Sequence, residues 1–233
     1  DTAEPVTGAA YVFERTGSSW KETSKLVSGT PSKHGRFGAS VAIDRDSVVI
    51  GSKGTYGKRA FAEVFIRTTS GWEREVELMS PAAHPHSHGV VAIHQQTVVI
   101  GSGTSSKPGV AHVFVRDKAG WQQQAQLSPR GSFDGDLFGR SVALESDLAV
   151  IGAESAKRDR PGAVYVFARA GRTWAQVAKL VPGDGLMEFG NFIAVADATV
   201  LVGEPDASIS GKALKCGAVY AFANPRWDTT KEL

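Results

Sequence analysis

Three groups of residues in this sequence have types and spacings that could do chemistry. The densest is His84-Pro85-His86-Ser87-His88, with His94 six residues further on. Histidines at i, i+2 and i+4 of an extended segment can turn to one side, and imidazole suits zinc, copper or nickel. A proline-containing loop lacks the ordered outer shell that fixes metal ligands. His84, His86 and His88 are therefore read as a solvent-exposed or partner-contacting loop, and no metal or cofactor is assigned. The second group is basic: Lys58 and Arg59, then Lys157, Arg158 and Arg160, with Lys53, Lys107, Lys212 and Lys215 in corresponding connections. Glu154, Asp159, Glu204 and Asp206 dilute it. Such charge is either solvated loop surface or a patch for an acidic protein or anionic glycan. The third group is Asp134-Gly135-Asp136 and Asp184-Gly185. These carboxylates are turn formers that cap their own backbone; the alternative is that Asp134, Asp136 and Asp184 accept hydrogen bonds from sugar hydroxyls.

Enzyme signatures are missing. The chain has no Gly-x-Ser-x-Gly elbow, no His-Glu-x-x-His pair and no Walker loop, and the expectation is a protein that is not an enzyme. With 26 basic and 24 acidic residues the net charge is +2, which argues against a nucleic-acid partner, since that would favour a concentrated basic stripe. No apolar run approaches the roughly 20 residues of a membrane span, so no membrane insertion is expected. There is no signal-peptide core, and residue 1 is Asp, so a processed or trimmed product or a fragment is expected. The single Cys216 excludes an internal disulfide and is read as a small buried residue beside Gly217.

The elements that must position these groups repeat. Trp20, Trp72, Trp121, Trp174 and Trp227 are spaced by 52, 49, 53 and 53 residues. Before each stands a run such as Gly8-Ala-Ala-Tyr-Val-Phe13, Gly162-Ala-Val-Tyr-Val-Phe167 or Gly217-Ala-Val-Tyr-Ala-Phe222. A second series is Phe37-Gly-Ala-Ser-Val-Ala42, Ser87-His-Gly-Val-Val-Ala92, Phe138-Gly-Arg-Ser-Val-Ala143 and Phe189-Gly-Asn-Phe-Ile-Ala194, each leading to an apolar run that ends at Gly51, Gly101, Gly152 or Gly203. Val, Ile, Phe and Tyr bounded by Gly, Pro, Asp and Ser read as strands, four to a repeat. Runs that are apolar throughout read as strands covered on both faces.

Four-stranded antiparallel units at a period of about 50 residues predict an all-β protein, a β-propeller. The expected division is a half blade at 8–27 and full blades at about 36–78, 87–127, 137–180 and 188–233, in one propeller region covering 1–233. The Trp and Phe series is expected between blades, and the glycines of the Phe-Gly pairs where inner strands crowd. Antiparallel strands put the short turns, one-to-two and three-to-four, at one end of each blade. The longer connections, two-to-three and four-to-one, share the other end, and long loops on a rigid scaffold are where binding is usually built.

Phe37-Gly-Ala-Ser-Val-Ala-Ile43, Phe138-Gly-Arg-Ser-Val-Ala-Leu144 and Gly162-Ala-Val-Tyr-Val-Phe167 resemble FG-GAP repeats, the units of integrin α-subunit propellers and of many secreted bacterial and fungal proteins. The resemblance covers essentially the whole chain. It implies a non-catalytic interaction module or assembly subunit that meets a protein partner through its long loops, and an extracellular or cell-surface location. Members of similar fold act as lectins, which makes a carbohydrate-binding propeller the alternative; an axial-site hydrolase or lyase is the third reading. The sequence departs from the family twice. Asp44-Arg45-Asp46-Ser47 and its counterparts are too short and too poor in carboxylates for the family's calcium loop. Ser87-His88-Gly89 stands where Phe-Gly is expected. The half blade has no visible partner, so part of a larger propeller is the favoured expectation, ahead of completion by another chain or irregular packing.

Overall fold

The runs of Val, Ile, Phe and Tyr form seventeen strands, and there is no helix among the described residues. The computed structural model describes residues 7–30, 35–53, 61–79, 89–104, 108–130, 135–155, 161–181, 188–207 and 216–223. Strands β1 (Ala10–Thr16) and β2 (Ser19–Leu26) make a two-stranded sheet, the half blade. Blade one is β3 (Ser40–Asp44), β4 (Ser47–Ser52), β5 (Phe61–Thr68) and β6 (Gly71–Met79). Blade two is β7 (Val90–His94), β8 (Thr97–Gly101), β9 (Ala111–Asp117) and β10 (Gly120–Leu127). Blade three is β11 (Phe138–Glu145), β12 (Leu148–Ala153), β13 (Ala163–Ala170) and β14 (Thr173–Leu180). Blade four contributes β15 (Phe192–Ala196), β16 (Thr199–Glu204) and β17 (Ala218–Ala223); the strand expected around Trp227 lies outside the described residues. Within every sheet the neighbours are antiparallel and sequential, the plan of a propeller blade.

Blades two and three each hide one face against the blade before and one against the blade after. Ala42 of blade one joins Val91, Ile93, Val98 and Ile100 of blade two in one core cluster. Ala92 joins Leu144, Tyr165 and Phe167 of blade three, and Ala143 joins Ile193, Val195 and Val202 of blade four. Strands apolar throughout are buried on both faces: every residue of β8 and β12 is buried. A fully buried Val, Ile or Phe contributes about 1.5–3 kcal/mol, so the blade interfaces carry most of the stability.

The Phe-Gly pairs have two physical jobs. Phe37, Phe138 and Phe189 are buried and stand edge-on to aromatics on the third strand of their own blade: Phe37 to Phe65, Phe138 to Tyr165 and Phe167, Phe189 to Tyr220 and Phe222. The glycine that follows takes a left-handed backbone, with φ of 90° at Gly38, 89° at Gly139 and 92° at Gly190, which a side chain disfavours. The glycines that end the second strands solve a crowding problem. A Cβ at Gly51, Gly101 or Gly152 would overlap the carbonyl oxygen of Gly89, Gly139 or Gly190 in the following blade.

The tryptophans are set by a bulge. Every strand four among the described residues carries one extra residue, skipped by the pairing: Thr23 in β2, Glu75 in β6, Gln124 in β10 and Val177 in β14. A bulge re-aims the side chain it carries. Glu75 Oε2 accepts the indole N–H of Trp121 at 3.0 Å, and Gln124 Oε1 that of Trp174 at 2.9 Å. Each bond joins one blade to the next.

Two expectations fail. Trp20 is exposed, because the half blade has no preceding blade to cover it among the described residues. Cys216 is exposed rather than buried: it precedes β17 in a turn whose backbone N–H donates to Ala207 O at 2.9 Å.

Candidate functional site

The two ends of the blades are chemically different. At the short-turn end an arginine stands two residues after the third-strand phenylalanine of the first four repeats, giving Arg15, Arg67, Arg116 and Arg169, whereas Asn224 follows Phe222. Arg67 reaches back to Glu14 of the half blade at 2.6 Å, and Arg116 to Glu75 of blade one at 2.6 Å. Arg169 binds Asp147 of its own blade at 2.6 Å, donates to Thr97 Oγ1 of blade two at 3.1 Å and covers the Trp174 ring at 5.4 Å. Arg15 turns to the carbonyl oxygen of Gly17 at 2.9 Å.

The tight turns add a second row of links. Asp44 accepts the backbone N–H of Gln95 in the next blade, and Glu145 that of Asp197 at 3.0 Å. Asp44 and Asp46 thus belong to turns of which one carboxylate is already spent between blades. Singly, half-exposed ion pairs are worth about 0–1 kcal/mol; in series they fix the stagger of neighbouring blades. This end holds the stack together.

At the opposite end, the connection leaving the half blade is anchored on blade one. Glu63, fully buried on β5, accepts from Ser28 Oγ, from the backbone N–H of Gly29 at 3.1 Å and from the Arg74 guanidinium. Thr30 Oγ1 donates to Glu77 Oε2 at 2.7 Å, and Arg74 also pairs with Glu77 at 3.3 Å. A buried carboxylate is tolerated when paired and hydrogen-bonded in this way. Farther round, the backbone N–H of Arg130 donates to Gln176 Oε1 at 3.0 Å, and Arg140 pairs with Glu154 at 3.2 Å. His112 occupies the Glu63 position in blade two; burial lowers its pKa, against a hydrogen bond with Gln126 that raises it, so it stays neutral in the core.

Of the candidate residues read from sequence, only Asp136 lies among the described ones. It is half-buried just before β11 and is not free. Lys58, Arg59, Lys157, Arg158, Arg160, His84, His86, His88, Asp134 and Asp184 lie outside the described residues. Among the described residues no group of three or more His, Cys, Asp or Glu side chains could hold a metal ion, and no helix is long and apolar enough to cross a membrane. The interblade arginines and the bulged acceptors were not singled out in the sequence, although their fixed offsets from the repeated Phe and Trp are visible there.

A family model described as the FG-GAP repeat matches residues 20–61 and 121–167. These two stretches match the FG-GAP repeat. The first matched stretch runs from β2 through β3 and β4 to the start of β5, and the second from β10 through β13. Both therefore contain a Phe-Gly strand whose phenylalanine packs on its own blade.

No curated protein matches this chain in sequence. Among solved structures it is similar to Trypanosoma rangeli sialidase, with a TM-score of 0.44 at 11% identity over 93% of this chain and 41% of the other. The same sialidase in complex with sialic acid gives 0.44 at 10% identity over 93% and 41%, and in complex with the inhibitor DANA 0.42 at 10% over 84% and 39%. The chain spans about two fifths of the length of these structures. Similarity at that level carries nothing about activity.

Proposed function

We propose that this FG-GAP propeller is a non-catalytic interaction module or assembly subunit, which meets a protein partner through the long connections at one end of its blades. The observation that supports the reading is the division of labour between the ends. Arg67, Arg116, Arg169, Asp44 and Glu145 are engaged in bonds within and between blades at the short-turn end. The long connections of the opposite end contain Lys58 and Arg59, between β4 and β5, and Lys157, Arg158 and Arg160, between β12 and β13. Each group lies in the same two-to-three connection of its blade, so the basic charge recurs at equivalent places. Loops on a rigid scaffold tolerate variation and carry recognition, and positive charge favours an acidic surface. An extracellular or cell-surface setting is part of the proposal.

The experiment is charge reversal. The variant Lys58→Glu, Arg59→Glu, Lys157→Glu, Arg158→Glu and the parent chain are titrated with an acidic protein probe, poly-L-glutamate, by calorimetry at low salt. The parent is expected to bind, more weakly as salt rises, with affinity falling about tenfold or more in the variant. No binding by the parent, or equal binding by both, contradicts the proposal. A glycan array run beside it isolates the sugar-binding reading, which predicts selective neutral-sugar binding that Asp134→Asn and Asp184→Asn remove.

A further inference from the structure

The third strand of blade two carries a histidine where the other blades carry different chemistry. Two residues before the third-strand phenylalanine, blade one has Glu63, blade three Tyr165 and blade four Tyr220; blade two has His112. Glu63 is held by Ser28, Gly29 and Arg74, and Lys179 Nζ stands 5.5 Å from the centre of the Tyr165 ring. His112 is fully buried. Alternation along β9 puts it on the side of Phe114, which packs with Ala62, Val64 and Leu78 of blade one. The imidazole thus belongs to the seam between blades one and two, at the long-connection end of β9.

The elements around His112 supply little to stabilise a positive charge. Its sheet partners β8 and β10 contain no charged residue. Ile100 stands opposite it on β8, and Gln126, opposite on β10, hydrogen-bonds to the imidazole. In blade one, Glu63, Arg74 and Glu77 are joined to one another and to the connection leaving the half blade. Arg67 pairs with Glu14, Glu73 is bonded to Thr68 and Ser70 in its own turn, and Asp44 accepts from Gln95. Glu75 faces blade two, where it is paired with Arg116 at 2.6 Å and accepts the Trp121 N–H. His94 closes β7 at the short-turn end. The long connections 80–89 and 102–110 contain His84, His86, His88 and Lys107, and neither Asp nor Glu.

We propose that the seam between blades one and two is an acid-sensitive joint, which a proton taken up at His112 loosens while the seams between blades two and three and between blades three and four hold. An imidazolium is far costlier to bury than the neutral ring, and burial is the main cause that lowers the pKa of His112. An ordinary imidazole takes up its proton near 6.5, whereas His112 in the fold does so only at lower pH. Below 6.5 the opened state therefore binds more protons than the closed one. The stability that His112 contributes is complete above that pH, falls as pH drops towards the folded value, and is level below it. Tyr165 and Tyr220 bring no such imidazole to the seams they occupy. The joint is independent of the partner met by the long connections.

Amide exchange of the full chain at about pH 7.5 and about pH 5.5, corrected for intrinsic rates, locates the joint. Protection in β8 and β9 is expected to fall several-fold more than in β12 and β13. Urea unfolding at the same two pH values isolates the residue. The unfolding constant of the parent is expected to rise on acidification by up to about tenfold more than that of His112→Gln, the limit set by one imidazole of ordinary pKa 6.5. His112→Tyr, which carries the residue of blade three, is the second variant. A difference below about twofold with both variants, or equal loss of protection in all blades, overturns the proposal. So does a pH dependence that survives in the His112 variants and vanishes when His84, His86 and His88 are replaced by Asn, since it then belongs to the connection.

Discussion

A methyl group added at Gly101 would overlap the Gly139 carbonyl oxygen and crowd Val142 of the next blade. At Gly203, the same position in blade four, the nearest atom to an added Cβ is that of Phe192 at 3.3 Å, which can shift slightly. Gly101→Ala is therefore expected to lose about 3 kcal/mol, the upper range of overpacking, and Gly203→Ala less than about 1 kcal/mol. Urea unfolding of the two variants checks this; equal losses would mean that the blades do not approach each other as described. At this scale the sequence was partly legible. The recurring Phe-Gly and terminal glycines announced close packing, because nothing but glycine satisfies both the left-handed backbone and the crowding. The exposure of Cys216 was not legible, since it depends on how the backbone before β17 is held, by the Cys216 N–H donating to Ala207 O.

Strand four links adjacent blades through one misregistered residue. The bulges at Glu75 and Gln124 turn their side chains to the indole N–H of the following blade. Removing the acceptor with Gln124→Ala leaves the half-buried Trp174 N–H unpaired and is expected to cost about 1–2 kcal/mol. A double-mutant cycle with Trp174→Phe should return a coupling of about 1 kcal/mol, and a coupling near zero would remove the bond from the account. The 50-residue period and the four-strand plan could be read from sequence because inner strands are apolar and alike. The bulge could not, because strand four is polar along most of its length, as in Gln122-Gln123-Gln124, and an extra residue there leaves the pattern of apolar positions unchanged.

Across the whole molecule, one end of the stack is committed to holding blades together and the other carries the long, variable connections. The all-β plan of four-stranded antiparallel units was legible, because repetition supplies several copies of the same evidence; the last strand expected of blade four lies outside the described residues. The site was far less legible. The long connections differ in length and composition from copy to copy, so the basic residues that recur at Lys58 and Arg158 name no ligand, and His86 has no counterpart in the other repeats. Among the described residues only Asp136 tests those assignments, and it is engaged near the foot of β11.

Native-state amide exchange tests the central claim most directly, that the blades cover one another in series, with β1 paired to β2 alone among the described residues. Amides in β5, β9 and β13 pair with strands on both sides and are expected to exchange only through large openings of the fold. In β1 the alternate amides that point away from β2 should exchange at rates close to those of loops, while the others are protected. Uniform protection along β1, as slow as in β13, would contradict the pairing of β1 with β2 alone and the serial cover of the blades.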